Sequence, residues 1–225
     1  MGVTGAPETV LMWSAPEGFG VAGSLEERIS DTWGRVVARF AADGEPLVRT
    51  APSVEPADIE TAWAACLSSV RDLFAAHYGA AAVEERFRVP EDYAAFMKIV
   101  GGGWHWPRGL EWSVFDAATV ASITAQDFRL GVTGASEDEP ALDTGFWLGV
   151  GWYSDKHEYV LCCDRTHSHF GAVVDGHDSH PWVNGVQFAG CRRMADSFLA
   201  WLAVHARTVE PVTRSDPSRN AGRGG

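Results

Sequence analysis

Lysine is almost missing from this chain: Lys98 and Lys156 are the only two, and arginine supplies the rest of the 18 basic residues, against 30 acidic ones. A formal charge of −12 excludes a basic face laid on nucleic-acid phosphates, because those contacts need clustered cations. It fits solubility, or a basic protein partner. Long apolar runs are missing too. No window of 18 apolar residues exists, so no membrane span is expected. Residues 1–16 carry neither a basic n-region nor a long apolar stretch, so no secretory signal is expected there. Cysteine is sparse and irregular: Cys66, Cys162, Cys163 and Cys191 sit at no metal-ligand spacing, and two are adjacent. That excludes a disulfide scaffold and points to reduced thiols in the cytoplasm.

What the chain does have is core-forming material. Its 225 residues are 46% hydrophobic, enough for one large domain or two small ones, and wholesale disorder is excluded. Thr9–Trp13 reads as a short strand or anchored arm. Ser24-Leu-Glu-Glu27 has the form of a capping box. It opens a helix that should run to about Ala42, with Ile29, Trp33, Val36, Val37 and Phe40 on one face. A Pro-rich connector over 45–56 leads to a helix from about Ala57 to Tyr78, whose apolar stripe includes Trp63, Cys66, Val70 and Phe74. Pro90-Glu-Asp92 then starts a third helix, with the proline in its first turn and two carboxylates at the positive end of its dipole. Gly101-Gly-Gly103 ends it.

Beyond those glycines the period changes to two. Glu111–Phe115, Gly145–Val150, Tyr159–Cys163 and Gly171–Asp175 read as strands, with an acidic loop, Glu137, Asp138, Glu139 and Asp143, between the first two. A last helix is expected from about Arg193, and a disordered tail over 208–225. Helices first, strands after and a closing helix make an α+β pattern, a mostly antiparallel sheet flanked by helices.

The order of these segments resembles the SUKH superfamily (the SMI1/KNR4 family). Val89-Pro-Glu-Asp-Tyr-Ala-Ala-Phe-Met-Lys98 with its following glycines is similar to that family's first helical motif, and Leu110–Phe115 to its next strand. Phe146–Gly151 with Glu158–Asp164 looks like its strand pair. Gly171–Asp175 and Asp196-Ser-Phe-Leu-Ala-Trp201 match its later strand and closing helix. Two departures stand out: Val100 where the family has asparagine, and Asp155-Lys-His-Glu158 in place of its Gly-Asp pair. The resemblance implies a SUKH-like domain over 51–207, preceded by an extension over 1–50. It also implies a protein-binding module without catalytic residues, cofactor or metal. Bacterial members are mostly immunity proteins that neutralise a cognate toxin, often a nuclease; fungal relatives are interaction hubs, which makes a regulatory scaffold the alternative.

Ten tryptophans supply candidates for a partner face. Trp33, Trp63 and Trp201 fit helix stripes and read as core. Trp104, Trp106, Trp152 and Tyr153 fall in loops or strand ends, where packing and partner roles are equally open. With Glu137, Asp138, Glu139 and Asp143 they form the expected contact with a basic toxin domain, rings anchoring and carboxylates steering; a merely solvated loop is the plain alternative. Two chemical alternatives come from other residues. His157, Asp164, His167, His169, His177, Asp178 and His180 could hold a metal for a hydrolase, with His167 and His169 on one face if they lie on a strand; a polar loop with turn-forming residues, Asp175-Gly-His-Asp-Ser179, is the plainer reading. Cys162-Cys163 would turn one thiol outward on a strand, near Arg165 and His167; inert core thiols are the other reading. No nucleophile elbow or phosphate-binding glycine motif is present.

Overall fold

The computed structural model describes residues 23–49, 56–107, 112–134, 145–153, 157–175 and 192–207. The capping box forms as the sequence requires: Ser24 Oγ accepts from the Glu27 amide at 3.2 Å, and Glu27 Oε2 accepts from the Ser24 amide at 2.8 Å. It starts α1 (Leu25–Ala42), which buries Ile29, Trp33, Val36 and Phe40. Helix α2 (Pro56–Tyr78) buries Trp63, Cys66, Val70 and Phe74 at the expected period. A short helix α3 (Ala80–Arg86) follows, which the sequence reading did not anticipate. Pro90 caps α4 (Glu91–Ile99) from just outside the helix, and Tyr93, Phe96 and Met97 face the core.

Three two-residue strands come next in the sheet order: β1 (Val48–Arg49), β2 (Trp104–His105) and β3 (Ser113–Val114), all antiparallel. Helix α5 (Ala117–Gly134), also not anticipated, precedes a four-stranded antiparallel sheet. That sheet runs in chain order through β4 (Trp147–Tyr153), β5 (His157–Cys162), β6 (Val173–Asp175) and β7 (Arg192–Ala195). The last helix, α6 (Phe198–His205), starts later than expected because Arg192–Ala195 is a strand; Ser197 then caps α6 by accepting from the Ala200 amide at 3.1 Å. The architecture is α+β with antiparallel sheets.

The two sheets meet at a glycine. The Phe115 amide donates to the Val150 carbonyl at 3.0 Å and the Trp152 amide to Ser113 Oγ at 3.1 Å. A Cβ on Gly151 would run into the Ser113 carbonyl, so only glycine lets β3 approach β4 this closely. One core spans everything described, from Ile29 in α1 to Leu202 in α6. The segment expected as an extension supplies part of it: Trp33 meets Phe96 of α4 edge-on at 5.4 Å, and β1 pairs with β2. Fully burying each such large apolar side chain stabilises by roughly 1.5–3 kcal/mol. Thr9–Trp13, the acidic loop and the 208–225 tail lie outside the described residues.

Candidate functional site

The tryptophans expected to meet a partner are half-buried and already engaged. Trp104, on β2, sits edge-on to Trp33 at 5.4 Å, with the Arg49 guanidinium 5.5 Å above it. Trp106 lies 5.8 Å from Phe40, and Trp152 meets Phe115 edge-on at 5.2 Å. They belong to the margin of an aromatic core in which Trp112 stacks on Trp201 at 5.8 Å. Tyr153 ends β4. Glu137, Asp138, Glu139 and Asp143 lie outside the described residues.

Two members of the histidine cluster do not lie on the strand that a metal pair there would need. His167-Ser-His169 is in a turn between β5 and β6. The two rings stack at 5.4 Å, and His167 Nδ1 accepts from the His169 amide at 3.1 Å. Burial, then the neighbouring charges of His167 and Arg193, lower the His169 pKa. Asp164 is fully buried and committed: Arg86 Nε donates to Oδ2 at 3.1 Å, while the Thr166 amide and hydroxyl donate to Oδ1 at 2.9 and 2.7 Å. Burial by itself would raise this carboxyl, but the bonds from Arg86 and Thr166 outweigh it and hold the pKa below its ordinary value. Among the described residues no group of three His, Cys, Asp or Glu could hold a metal ion. His157 lies on β5; His177, Asp178 and His180 are outside the described residues.

Both adjacent thiols are buried, as the inert-core reading expects, and neither faces outward. The reason is a second cover over the end of β5. Arg88 donates its amide to the Cys163 carbonyl at 2.8 Å and Phe87 bridges to Asp164, so this extended segment closes the remaining face. Burial pushes Cys66 and Cys162 up to about 12 and Cys163 well above its ordinary value, which keeps all three protonated and unreactive at neutral pH.

The same extended segment forms the wall of an open groove of about 560 Å³. The starts of α1, α4 and α6 and the turn before β6 converge on it. Pro90 is buried in its floor, with half-buried Leu25, Val89 and Leu199 around it. Arg28 and Arg88 are exposed at the rim, and so is Phe170, at 39%. Asp92 is used up inside the fold: Oδ2 accepts from the Leu199 amide at 2.8 Å and Oδ1 from the Tyr93 amide at 2.9 Å. That bond, and the contact of Tyr93 with Phe198 at 4.7 Å, lock the start of α4 to the start of α6. Sequence reasoning missed this groove, although Arg88-Val-Pro90 with its two flanking carboxylates was visible as a helix entry. Comparison with known protein families, curated proteins and solved structures finds no match to this chain.

Proposed function

We propose that this chain is a protein-binding module with a SUKH-like fold, an immunity protein that works in the cytoplasm and neutralises a cognate toxin by covering its active site. The observation that carries this reading is the contrast between the inside and the groove. The thiols are protonated and buried, and the Asp164 carboxylate is fully hydrogen-bonded, so these groups serve the fold. The groove at the starts of α1, α4 and α6, by contrast, leaves an exposed ring and two guanidinium groups facing solvent. Apolar anchors rimmed by charge are what a protein interface uses. The two helices that carry the resemblance, α4 and α6, are two of the three whose starts line this groove.

The formal charge of −12 suits a basic toxin domain by long-range attraction. The test is co-purification of the tagged chain from its own host at moderate salt. The expected result is one stoichiometric partner carrying a basic toxin domain, with toxicity rescued by co-expression. Rescue that fails with a bound partner refutes neutralisation, and a set of signalling or envelope proteins in its place makes the chain a scaffold.

A further inference from the structure

We infer that the groove between the starts of α1, α4 and α6 receives an extended segment of the protein partner that carries an apolar side chain next to a carboxylate. This inference rests on the protein-binding reading above and specifies what is bound. Four observations lead to it. The floor is apolar and partly open: Leu25, Val89 and Leu199 are half-buried around a buried Pro90, and Phe170 stands exposed beside them. A space of about 560 Å³ holds a few side chains, not a folded domain.

The charge at the rim is the second observation. On a chain with 30 acidic residues, the groove presents Arg28 and Arg88, and neither guanidinium has a partner among the described residues. Of the two carboxylates there, Asp92 is turned to the Tyr93 and Leu199 amides, so at the exposed rim only Glu91 stands beside the two cations. A ligand carboxylate therefore finds two guanidinium donors exposed at the rim. Arginine also presents a planar fork of donors that matches a carboxylate.

Rigidity is the third. The wall does not need to be ordered by the ligand: Arg88 is pinned by its amide to Cys163, and the floor by the Asp92–Leu199 bond. A preformed groove loses less entropy on binding. Shape is the fourth: four separate chain segments bound an open trough, which suits an extended chain and not an enclosed small molecule.

The experiment is selection of random 12-residue displayed peptides on the full-length protein, with Arg28→Glu/Arg88→Glu and Phe170→Ser variants as controls. The expected result is enrichment of Asp or Glu within three residues of Leu, Phe or Met. A selected peptide should bind the double charge reversal about tenfold or more weakly, and Arg28→Lys/Arg88→Lys should recover part of that loss. Selected peptides without acidic enrichment, or with equal affinity for the charge-reversed protein, overturn the inference. Peptide binding that emerges only when Glu137, Asp138, Glu139 and Asp143 are neutralised gives the groove to the chain's own acidic loop and overturns it too. So does a dimer that the charge reversal dissolves. The two readings fail separately. A co-purifying partner that the groove variants retain in full removes the groove inference and leaves the protein-binding function, whereas a partner that the groove variants lose but that is no toxin keeps the groove inference and removes neutralisation.

Discussion

His205 makes the stability of the fold depend on pH below neutrality. Its ring lies 4.9 Å from Trp201, 5.4 Å from Trp112 and 6.1 Å from Tyr159. The residue keeps some exposed surface, but its Nε2 is sealed from solvent and has no hydrogen-bond partner. From α1, Arg39 donates to the His205 carbonyl at 3.1 Å and so sets a cation beside the ring, itself balanced by Asp43 at 3.5 Å. Burial, and then the charge of Arg39, push the imidazole from the ordinary 6.5 down to about 3. Below pH 6.5 the unfolded chain takes up a proton that the folded chain refuses. The stabilisation is therefore complete above 6.5 and is lost as pH falls toward 3. The slope inside that window is about 1.4 kcal/mol per pH unit. Between pH 7.5 and 5.0 the loss comes to about 2 kcal/mol, or roughly 4–8 °C in Tm for a chain of this length. Most carboxylates stay ionised throughout, and His169, also lowered, adds a smaller contribution of the same sign. Urea unfolding at fixed ionic strength across this range measures the slope. His205→Phe keeps a ring among the tryptophans and removes the proton, so the variant should lose about 2 kcal/mol less than the wild type over the same interval. Equal slopes in the two proteins would refute the assignment.

Three further outcomes follow from the packing. Asp164→Ala leaves Arg86 without its buried partner and removes the acceptor for Thr166, so urea unfolding should report a loss on the order of 3 kcal/mol. In a Cys191→Ser background, a thiol reagent at neutral pH should label none of Cys66, Cys162 and Cys163 until the protein is unfolded; fast native labelling of any one would contradict the burial that raises all three. Gly102→Ala should prevent folding or destabilise by about 3 kcal/mol or more, read by circular dichroism and melting, because its Cβ would overlap the Phe115 carbonyl.

Much of the helical part was legible because its signals are local. The Ser24 box and the stripe from Ile29 to Phe40 set α1, and α2 matches its sequence bounds within a residue. Helix α5 was missed because its Val, Ile and Thr residues mask the helical period. Its start was still written in the chain: Asp116 Oδ1 accepts from the Thr119 amide at 2.8 Å, an N-cap three residues ahead of its donor. The same oversight moved the start of α6, where Ser197 is the cap and Arg192–Ala195 pairs with β6. Strand alternation alone left two readings of Cys162-Cys163 open, since no local pattern records that Phe87 and Arg88 cover the second face.

The groove was illegible for a deeper reason than any misread boundary. Its sides come from residues 25–28, 88–92, 170–171 and 197–199, and no sequence window contains two of them. What joins them is Asp92. In sequence its carboxylate reads as a favourable charge in the first turn of α4, a matter of helix dipoles. In the fold it reaches the Leu199 amide of α6, so one side chain serves the starts of two helices. That second bond decides the character of the site. It turns the Asp92 carboxylate to the start of α6 and leaves Glu91 as the carboxylate beside Arg28 and Arg88 at the rim. Asp92→Asn tests this coupling, because its single amide oxygen can keep the bond to Leu199 while the charge and the bond from the Tyr93 amide are lost. Folding should survive with a loss on the order of 1–3 kcal/mol, and a selected acidic peptide should bind as well as or better than to the wild type. Weaker binding by the folded variant would place the negative charge of Asp92 in the recognition itself.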